Sequence, residues 1–332
     1  MFTGEIILSP VLLAIIFVVV GLVLLIWSAD RFVYGASSVA RNLGVSPMII
    51  GLTIVAMGSS APEMLVSASA AWQGRLDTSV GNALGSNITN ILLVIGAAAL
   101  LKPIAVSSLT LKREYPLLVL CTLFGYYLIA DSALSRNEGI MLLIAFSCFL
   151  ILLVYWGKRA KADDPLVAEI NAELPEAASG LTSILWVIAG LILLLASSQL
   201  LVHGAVTIAR YAGMSDLLIG LTIIAIGTSL PELAASIIGI LKGEDDLALG
   251  NIIGSNIFNI LAVLGLGAVI GPGALDPLAG SRDSYVMIAA TIIMLLMSIR
   301  LGKVQRINRF EGALLLAGFV GYQYLLFNAL SQ

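Results

Sequence analysis

The sequence predicts an all-α polytopic membrane protein, with ten transmembrane helices arranged as two inverted five-helix repeats. Three observations predict it. The 332 residues are 59% hydrophobic and only 11% charged, against about 25% charged in a soluble protein of this size. Ten stretches are apolar enough to be read as spanning helices. The chain also repeats itself at a shift of 169 residues, with five spans between the copies.

A spanning helix needs about 20 mostly apolar residues. The candidates are 6–28, 47–72, 78–101, 115–131, 139–157, 182–202, 216–241, 247–270, 285–299 and 310–328. The N-terminus, MFTGEIILSP, has no basic n-region, and no small-residue cleavage pattern follows its apolar run. The first stretch is therefore expected to be a spanning helix and not a cleaved leader. Lys and Arg orient the chain. On the side that holds both termini the loops carry four, Arg75, Arg136, Arg210 and Arg282, and the opposite side carries the other thirteen. Both termini are thus expected on the non-cytoplasmic side. The polar stretch 158–181 is expected to be a cytoplasmic linker between one five-helix repeat at 1–157 and the other at 182–332, the two forming one membrane domain. The net charge of −3 offers no basic field to nucleic acid. Cys121 and Cys148 lie in apolar runs, where a thiol packs as a small hydrophobe, and they supply neither a disulfide framework nor a zinc site.

Residues 51–91, GLTIVAMGSSAPEMLVSASAAWQGRLDTSVGNALGSNITNI, meet residues 220–260, GLTIIAIGTSLPELAASIIGILKGEDDLALGNIIGSNIFNI, with 20 of 41 positions identical and no gap. The register holds on both sides. Ser28, Gly35 and Arg41 match Ser197, Gly204 and Arg210; Pro103 and Arg113-Glu114 match Pro272 and Arg282-Asp283. This is an internal duplication. An odd number of spans separates the copies, so the second enters the membrane from the opposite side. Many secondary transporters are built this way, with substrate near the midplane where the repeats meet.

The shared positions are mainly Gly, Ser, Thr, Pro, Glu and Asn, not the apolar bulk that packing alone would retain. Glu63 and its counterpart Glu232 fall near mid-depth of their spans. On insertion scales each acid costs about 2.5–3.5 kcal/mol, hence about 5–7 kcal/mol for both. No basic side chain lies within a span core, and His203, near a helix end, has Tyr34 as its counterpart. What remains as a partner is protons or bound cations. Pro62 and Pro231 have no N–H to give and break their helices beside the acids. The carbonyls near Ala56, Gly58 and Ser59 are expected to be freed, which is tolerated at this depth only where protein or a polar cavity satisfies them. Ser59, Ser60, Thr228 and Ser229 add hydroxyls. In GNALGSNITN (81–90) and GNIIGSNIFN (250–259), Ser86 with Asn90 and Ser255 with Asn259 stand four apart, on one helix face. With oxygen donors and no Cys/His set, the constellation suits a hard cation, most naturally calcium.

Other shared residues have plainer uses. Gly81-x-x-x-Gly85 and Gly250-x-x-x-Gly254 fit close helix packing. Asn87 and Asn256 are expected to bond other backbone, and Asp77 and Asp246 to serve as helix-start charges or caps.

GSSAPE and GTSLPE, each followed by G-N-x-x-G-S-N-I-x-N, resemble the α-repeats of the sodium/calcium exchangers in the cation/calcium exchanger superfamily. The compact bacterial calcium/sodium antiporter branch is the nearest likeness, and it runs over essentially the whole chain. The resemblance implies a multi-pass plasma (inner) membrane antiporter that exchanges Na+, three of them, for one Ca2+ by alternating access and normally extrudes Ca2+. It implies four cation positions clustered at the midplane. Calcium would take Glu63, Glu232 and the backbone oxygens of Ser59 and Thr228. Sodium would add the Ala56 and Ala225 carbonyls with Ser60, Ser229, Ser86 and Ser255, while Asn90 and Asn259 flank the central position. The first and sixth helices would slide as a gating pair.

Two departures stand out. Ser59 occupies a position where Thr is usual, and Asn259 one where potassium-dependent relatives typically carry Asp. The second implies that potassium is not required and leaves two carboxylates in the site. Two ionised glutamates with one Ca2+ make a neutral cluster, and with three Na+ a cluster of +1, so one net charge moves per cycle. Partners are then Ca2+, Na+ and lipid. No cofactor is expected and the oligomeric state is left open, a monomer included. Proton-coupled calcium exchange at the same glutamates competes with this reading, and a passive cation channel competes less closely. The serines favour sodium, and inverted repeats with broken helices favour alternating access. An intramembrane enzyme would need a nucleophile with a base or an aspartate pair, and no His or Asp lies at that depth.

Overall fold

Hydrocarbon offers no partner to a backbone N–H or C=O, so a chain this apolar must satisfy its backbone within helices. A computed structural model, described at residues 10–45, 47–159, 179–212, 225–299 and 305–330, shows that outcome. The first half opens with α1 (Pro10–Leu43). A broken segment follows: α2 (Pro47–Ile50), a π-helical turn at Gly51–Val55, α3 (Ala56–Ser59) and α4 (Ala61–Trp72). Next, α5 (Leu76–Thr89) passes through a π-helical turn at Asn90–Ile95 into α6 (Gly96–Leu101). The half ends with β1 (Ile104–Ala105), α7 (Ser108–Lys112), α8 (Glu114–Ile129), β2 (Ala133–Leu134) and α9 (Arg136–Arg159).

The second half repeats the plan. It runs α10 (Gly180–Tyr211), α11 (Ala225–Thr228), α12 (Leu230–Leu241) and α13 (Asp245–Phe258). A π-helical turn at Asn259–Val263 leads into α14 (Leu264–Ile270), followed by β3 (Gly273–Ala274). A further π-helical turn at Ala279–Asp283, α15 (Ser284–Ser298), β4 (Arg306–Ile307) and α16 (Arg309–Leu330) complete it. The linker and the start of the expected span 216–241 lie outside the described residues.

Several expected boundaries shift. The first and sixth spans, expected at 6–28 and 182–202, belong to helices that continue to Leu43 and Tyr211. Polar residues ended the expected first span, yet in the fold these residues have partners. Ser28 turns its hydroxyl to Leu25 O at 3.1 Å, Asp30 pairs with Lys242 at 2.8 Å, and the Arg31 guanidinium lies 5.3 Å from the centre of the Trp186 ring. At about 1.5 Å per residue α1 and α10 exceed a hydrocarbon core of about 30 Å. Among the described residues, seven helices are long and apolar enough to cross a membrane. The other expected spans correspond to the broken segment Pro47–Trp72, the 16-residue α8 and the described part of 216–241.

The repeat is written into the contacts. α1 and α10 cross antiparallel with backbones nearly touching. A Cβ added at Gly21 would lie 2.8 Å from Leu201 N, at Gly35 2.7 Å from Val187 N, at Gly190 2.8 Å from Phe32 Cα, and at Gly204 2.6 Å from Ala14 O. Gly21 and Gly190 are counterparts at a shift of 169, as are Gly35 and Gly204. Counterpart helices that run antiparallel are related by an axis across them, which for membrane helices lies in the membrane plane. The swapped ribbons agree. β1 pairs with β4, and β2 with β3, each antiparallel. The expected packing glycines also appear: Gly254 sits against Leu52 and Ala56, and Gly250 against Gly51. The matching contacts of Gly81 and Gly85 would fall on 220–225, mostly outside the described residues.

Loops gather at two ends of the molecule. At one end Lys102 donates to Ile240 O at 2.7 Å and Arg309 to Leu101 O at 3.1 Å, beside the β1–β4 ribbon. At the other, Leu275 N reaches Ser132 O at 2.8 Å, and Asp276 N donates to Asp77 at 2.7 Å. Asp77 lies in the first turn of α5 as expected, but its carboxylate joins the two halves and caps no helix. Cys121 is buried and Cys148 exposed, and neither forms a disulfide.

The crossing gives a stability prediction. Gly190→Leu and Gly35→Leu must each push a helix backbone aside, at about 1–3 kcal/mol. Each variant is expected to unfold at lower temperature than the unmutated protein in the same detergent, read by thermal denaturation; an unchanged midpoint would show that the crossing is slack.

Candidate cation site

Pro62 stands at the start of α4 and Pro231 at the start of α12. With no N–H, each proline can open a helix but not continue one. The preceding Ser60 and Ser229 take the same half-turn conformation, φ −83°, ψ 8° and φ −88°, ψ 5°. Each break places its glutamate in the first turn of a new helix. The N-terminal end of a helix carries partial positive charge from its unpaired N–H groups. Both acids therefore sit where a buried negative charge is best tolerated, and each accepts a bond from its own backbone N–H.

Glu63 and Glu232 are both 1% exposed, and they lie close enough for charge repulsion between them. A hydroxyl from the opposite half reaches each one, and Glu232 has a second from its own half. Ser60 Oγ donates to Glu232 Oε1 at 2.9 Å, and Ser255 Oγ to the same oxygen at 3.5 Å. The Ser59 hydroxyl donates instead to Asn251 Oδ1 at 3.0 Å. Thr228 bonds Glu63. Of the remaining expected oxygens, Ser86 is buried one turn before Asn90, while Ser229, Asn90 and Asn259 are buried as well. Five of these side-chain oxygens have no hydrogen-bond partner: Glu63 Oε2, Glu232 Oε2, Ser229 Oγ, Asn90 Oδ1 and Asn259 Oδ1. Buried acceptors without donors are costly and rare in folded proteins. A bare cation satisfies acceptors of this kind. Among the described residues no trio of His, Cys, Asp and Glu gathers at one point, so ligands beyond the two carboxylates must be neutral oxygens, as a hard cation accepts.

The backbone expectation needs correction. The Ala56 carbonyl is not freed: it accepts the Ser60 N–H at 3.0 Å and the Ser59 hydroxyl at 3.5 Å. Pro62 lacks only the N–H that would reach Gly58 four residues back, and the Gly58 carbonyl takes another backbone N–H at the end of α3, so it is not freed either. In the second half Ser229 N–H donates to Ile226 O at 3.1 Å. Asn87 behaves as expected in donating to Asn256 O at 3.2 Å.

Four site residues escaped the sequence reading. Asn82 donates to Glu63 O at 3.1 Å and to Ser67 Oγ at 2.9 Å. Its counterpart Asn251 donates to Ser236 Oγ at 3.1 Å. These amides clasp the helix that carries each glutamate. The signal was present, since Ser67, Asn82, Ser236 and Asn251 are identical across the duplication. Also unforeseen were the π-helical turns that start at Asn90 and Asn259. Such turns widen the ladder by one residue and are frequent at functional sites.

Comparison with known proteins gives the family. The family model described as sodium/calcium exchanger protein matches residues 13–155 and again 182–328. CaxA of Alkalimonas amylolytica is 74% identical over 318 residues, covering 96% of this chain and 100% of CaxA. Inner membrane protein YrbG of Escherichia coli (strain K12) is 45% identical over 318 residues, covering 95% of this chain and 97% of YrbG. The solved structure of the sodium–calcium exchanger NCX_Mj, soaked with Na+ and Sr2+, matches with a TM-score of 0.79 at 33% identity, over 93% of this chain and 97% of that one. With the model matching once in each half, and a relative of known structure aligned nearly end to end, this multi-pass membrane chain belongs to the sodium/calcium exchanger family.

Proposed function

We propose that the protein is a secondary active antiporter that exchanges three Na+ for one Ca2+ by alternating access and normally moves Ca2+ out of the cell. The observation that carries this is the set of five unpartnered buried oxygens around Glu63 and Glu232. Calcium is bound by both carboxylates with the carbonyls of Ser59 and Thr228. The Ser59 carbonyl suits that role: the Glu63 N–H that would take it in a continuous helix turns to its own carboxylate. Sodium uses Ser60, Ser86, Ser229 and Ser255 with the carbonyls of Ala56 and Ala225, the Ala56 oxygen through its second lone pair. Asn90 and Asn259 flank the centre. Release of the cargo leaves two carboxylates facing each other, so the two cargoes compete for one set of oxygens.

Ten spans form two five-helix repeats in one membrane domain, bounded at 1–157 and 182–332, with a cytoplasmic linker and both termini outside. Support for the plasma (inner) membrane comes from YrbG, which is named an inner membrane protein. The α1–α10 crossing supports a gating role, since glycine contacts present smooth backbone surfaces that can slide. The protein carries out transport and no chemical conversion, and needs no cofactor.

The cargo is tested in vesicles holding the reconstituted chain. Radioactive calcium uptake is expected under an outward Na+ gradient and not under a pH gradient alone. Uptake driven only by the pH gradient assigns the coupling to protons, and equal uptake with neither gradient assigns a channel. With three Na+ leaving per Ca2+ entering, an inside-positive potential should speed uptake, since one net charge is worth about 2.3 kcal/mol per 100 mV. Indifference to potential overturns the three-to-one ratio.

Glu63→Gln and Glu232→Gln are each expected to abolish sodium-driven calcium uptake in the same vesicles. Each removes one of two charges from a buried divalent-cation site, where the loss of a charged hydrogen-bonding ligand costs several kcal/mol. Near-normal flux in either variant refutes the role given to the pair.

A further inference from the structure

Asn87 and Asn256 have no place among the oxygens expected to meet cargo. Both are 1% exposed and both are kept in the two copies. Their bonds cross between the halves. Asn259 Nδ2 donates to Asn87 Oδ1 at 3.0 Å, and Asn90 Nδ2 donates to Asn256 Oδ1 at 3.0 Å. Under the shift of 169 the first bond becomes the second. Asn87 Nδ2 then anchors itself on Asn256 O at 3.2 Å.

A carboxamide is planar, with an acceptor oxygen at one end and an NH2 donor at the other. Fixing the NH2 fixes the oxygen. In Asn90 and Asn259 the NH2 is taken by the crossed bond, and the Oδ1 of each is buried without a donor. Asn259 lies one turn beyond Ser255, whose hydroxyl contacts Glu232 at 3.5 Å, so its side chain shares the face that looks on the carboxylates. An untethered amide here can rotate and offer its NH2, which repels a cation.

Resting on the antiport reading, we propose that Asn87 and Asn256 are positioning residues. They hold the amides of Asn259 and Asn90 oxygen-inward, so that two neutral ligands are set before the cation arrives. The same tie spans the two repeats, so the ligand orientation depends on α5 and α13 staying in register across the two-fold axis.

The test uses purified full-length protein in detergent, with equilibrium binding of radioactive Ca2+ and its displacement by Na+. It does not depend on which ion drives transport, so a failed flux assay and a failed positioning role remain separate results. Asn87→Ala is expected to weaken the apparent affinity for the cations about tenfold, the usual loss when a residue that orients a metal ligand is removed. Asn259→Asp supplies the diagnostic background, because a carboxylate presents oxygen whichever way it is turned. In that background Asn87→Ala should change affinity by about twofold or less, a coupling that a double-mutant cycle isolates. Equal losses in both backgrounds, or no loss in Asn87→Ala, overturn the proposal. If Asn87→Ala does not purify as a monodisperse protein, the counterpart pair Asn256→Ala and Asn90→Asp makes the same measurement with the same two outcomes. An unmutated chain that binds no Ca2+ overturns the reading of the site and this proposal together.

Discussion

Two carboxylates that water cannot reach, Glu63 and Glu232, set the terms for the centre of this protein. Each would be costly alone, and together they repel. The fold answers with three devices. A proline breaks the helix and starts a new one, so that each acid faces the positive end of a helix. Hydroxyls from the opposite half reach across to it. Asn82 and Asn251 then clasp the segments that carry the acids and serines. None of these neutralises the charge. They hold it, which leaves the neutralising to cargo.

The two-fold relation explains why one short motif is enough to build such a site. One copy supplies one acid, two hydroxyls and an amide oxygen, which is half of what a cation of six to eight oxygens needs. Duplication with inversion brings the second half to the same point, because counterparts meet at the axis. That geometry demands close approach wherever counterpart helices cross, and Gly21, Gly35, Gly190 and Gly204 answer it at the α1–α10 crossing. It also swaps the connecting ribbons, so that β1 finds β4 and β2 finds β3. Each half's connections thereby close on the other half, which ties two repeats into one body.

Much of this was legible in the sequence because membrane burial makes polar residues conspicuous. Glu63, Pro62 and Ser60 stand out against an apolar run, and the duplication marks which polar positions matter. What hydropathy misjudged were helix ends. Asp30 and Arg31 look like the edge of the membrane, yet partners in Lys242 and Trp186 let α1 run on to Leu43. Backbone detail was also beyond reach. Pro62 removes one donor, the one four positions on from Gly58, yet both the Ala56 and the Gly58 carbonyls keep a backbone N–H at the end of α3. Asn82 and Asn251 were visible as identical positions, but their role depends on which neighbours the fold brings to them, and spacing along one helix does not reveal that.

The symmetry of the sequence is not matched by symmetry in the bonds. Glu232 is held by Ser60 and Ser255, both on one carboxylate oxygen. Glu63 has Thr228, while Ser229, the counterpart of Ser60, is left buried with an unpaired hydroxyl. Two equivalent halves in unequal arrangements define two states of equal chemistry, reached from one another by exchanging which half is which. For an inverted repeat, that exchange turns a site facing one side of the membrane into the same site facing the other. Under the antiport proposed above, the inequality at Glu63 and Glu232 is the local form of alternating access: the hydroxyls that crowd one carboxylate in this arrangement are the ones whose counterparts would crowd the other in the next.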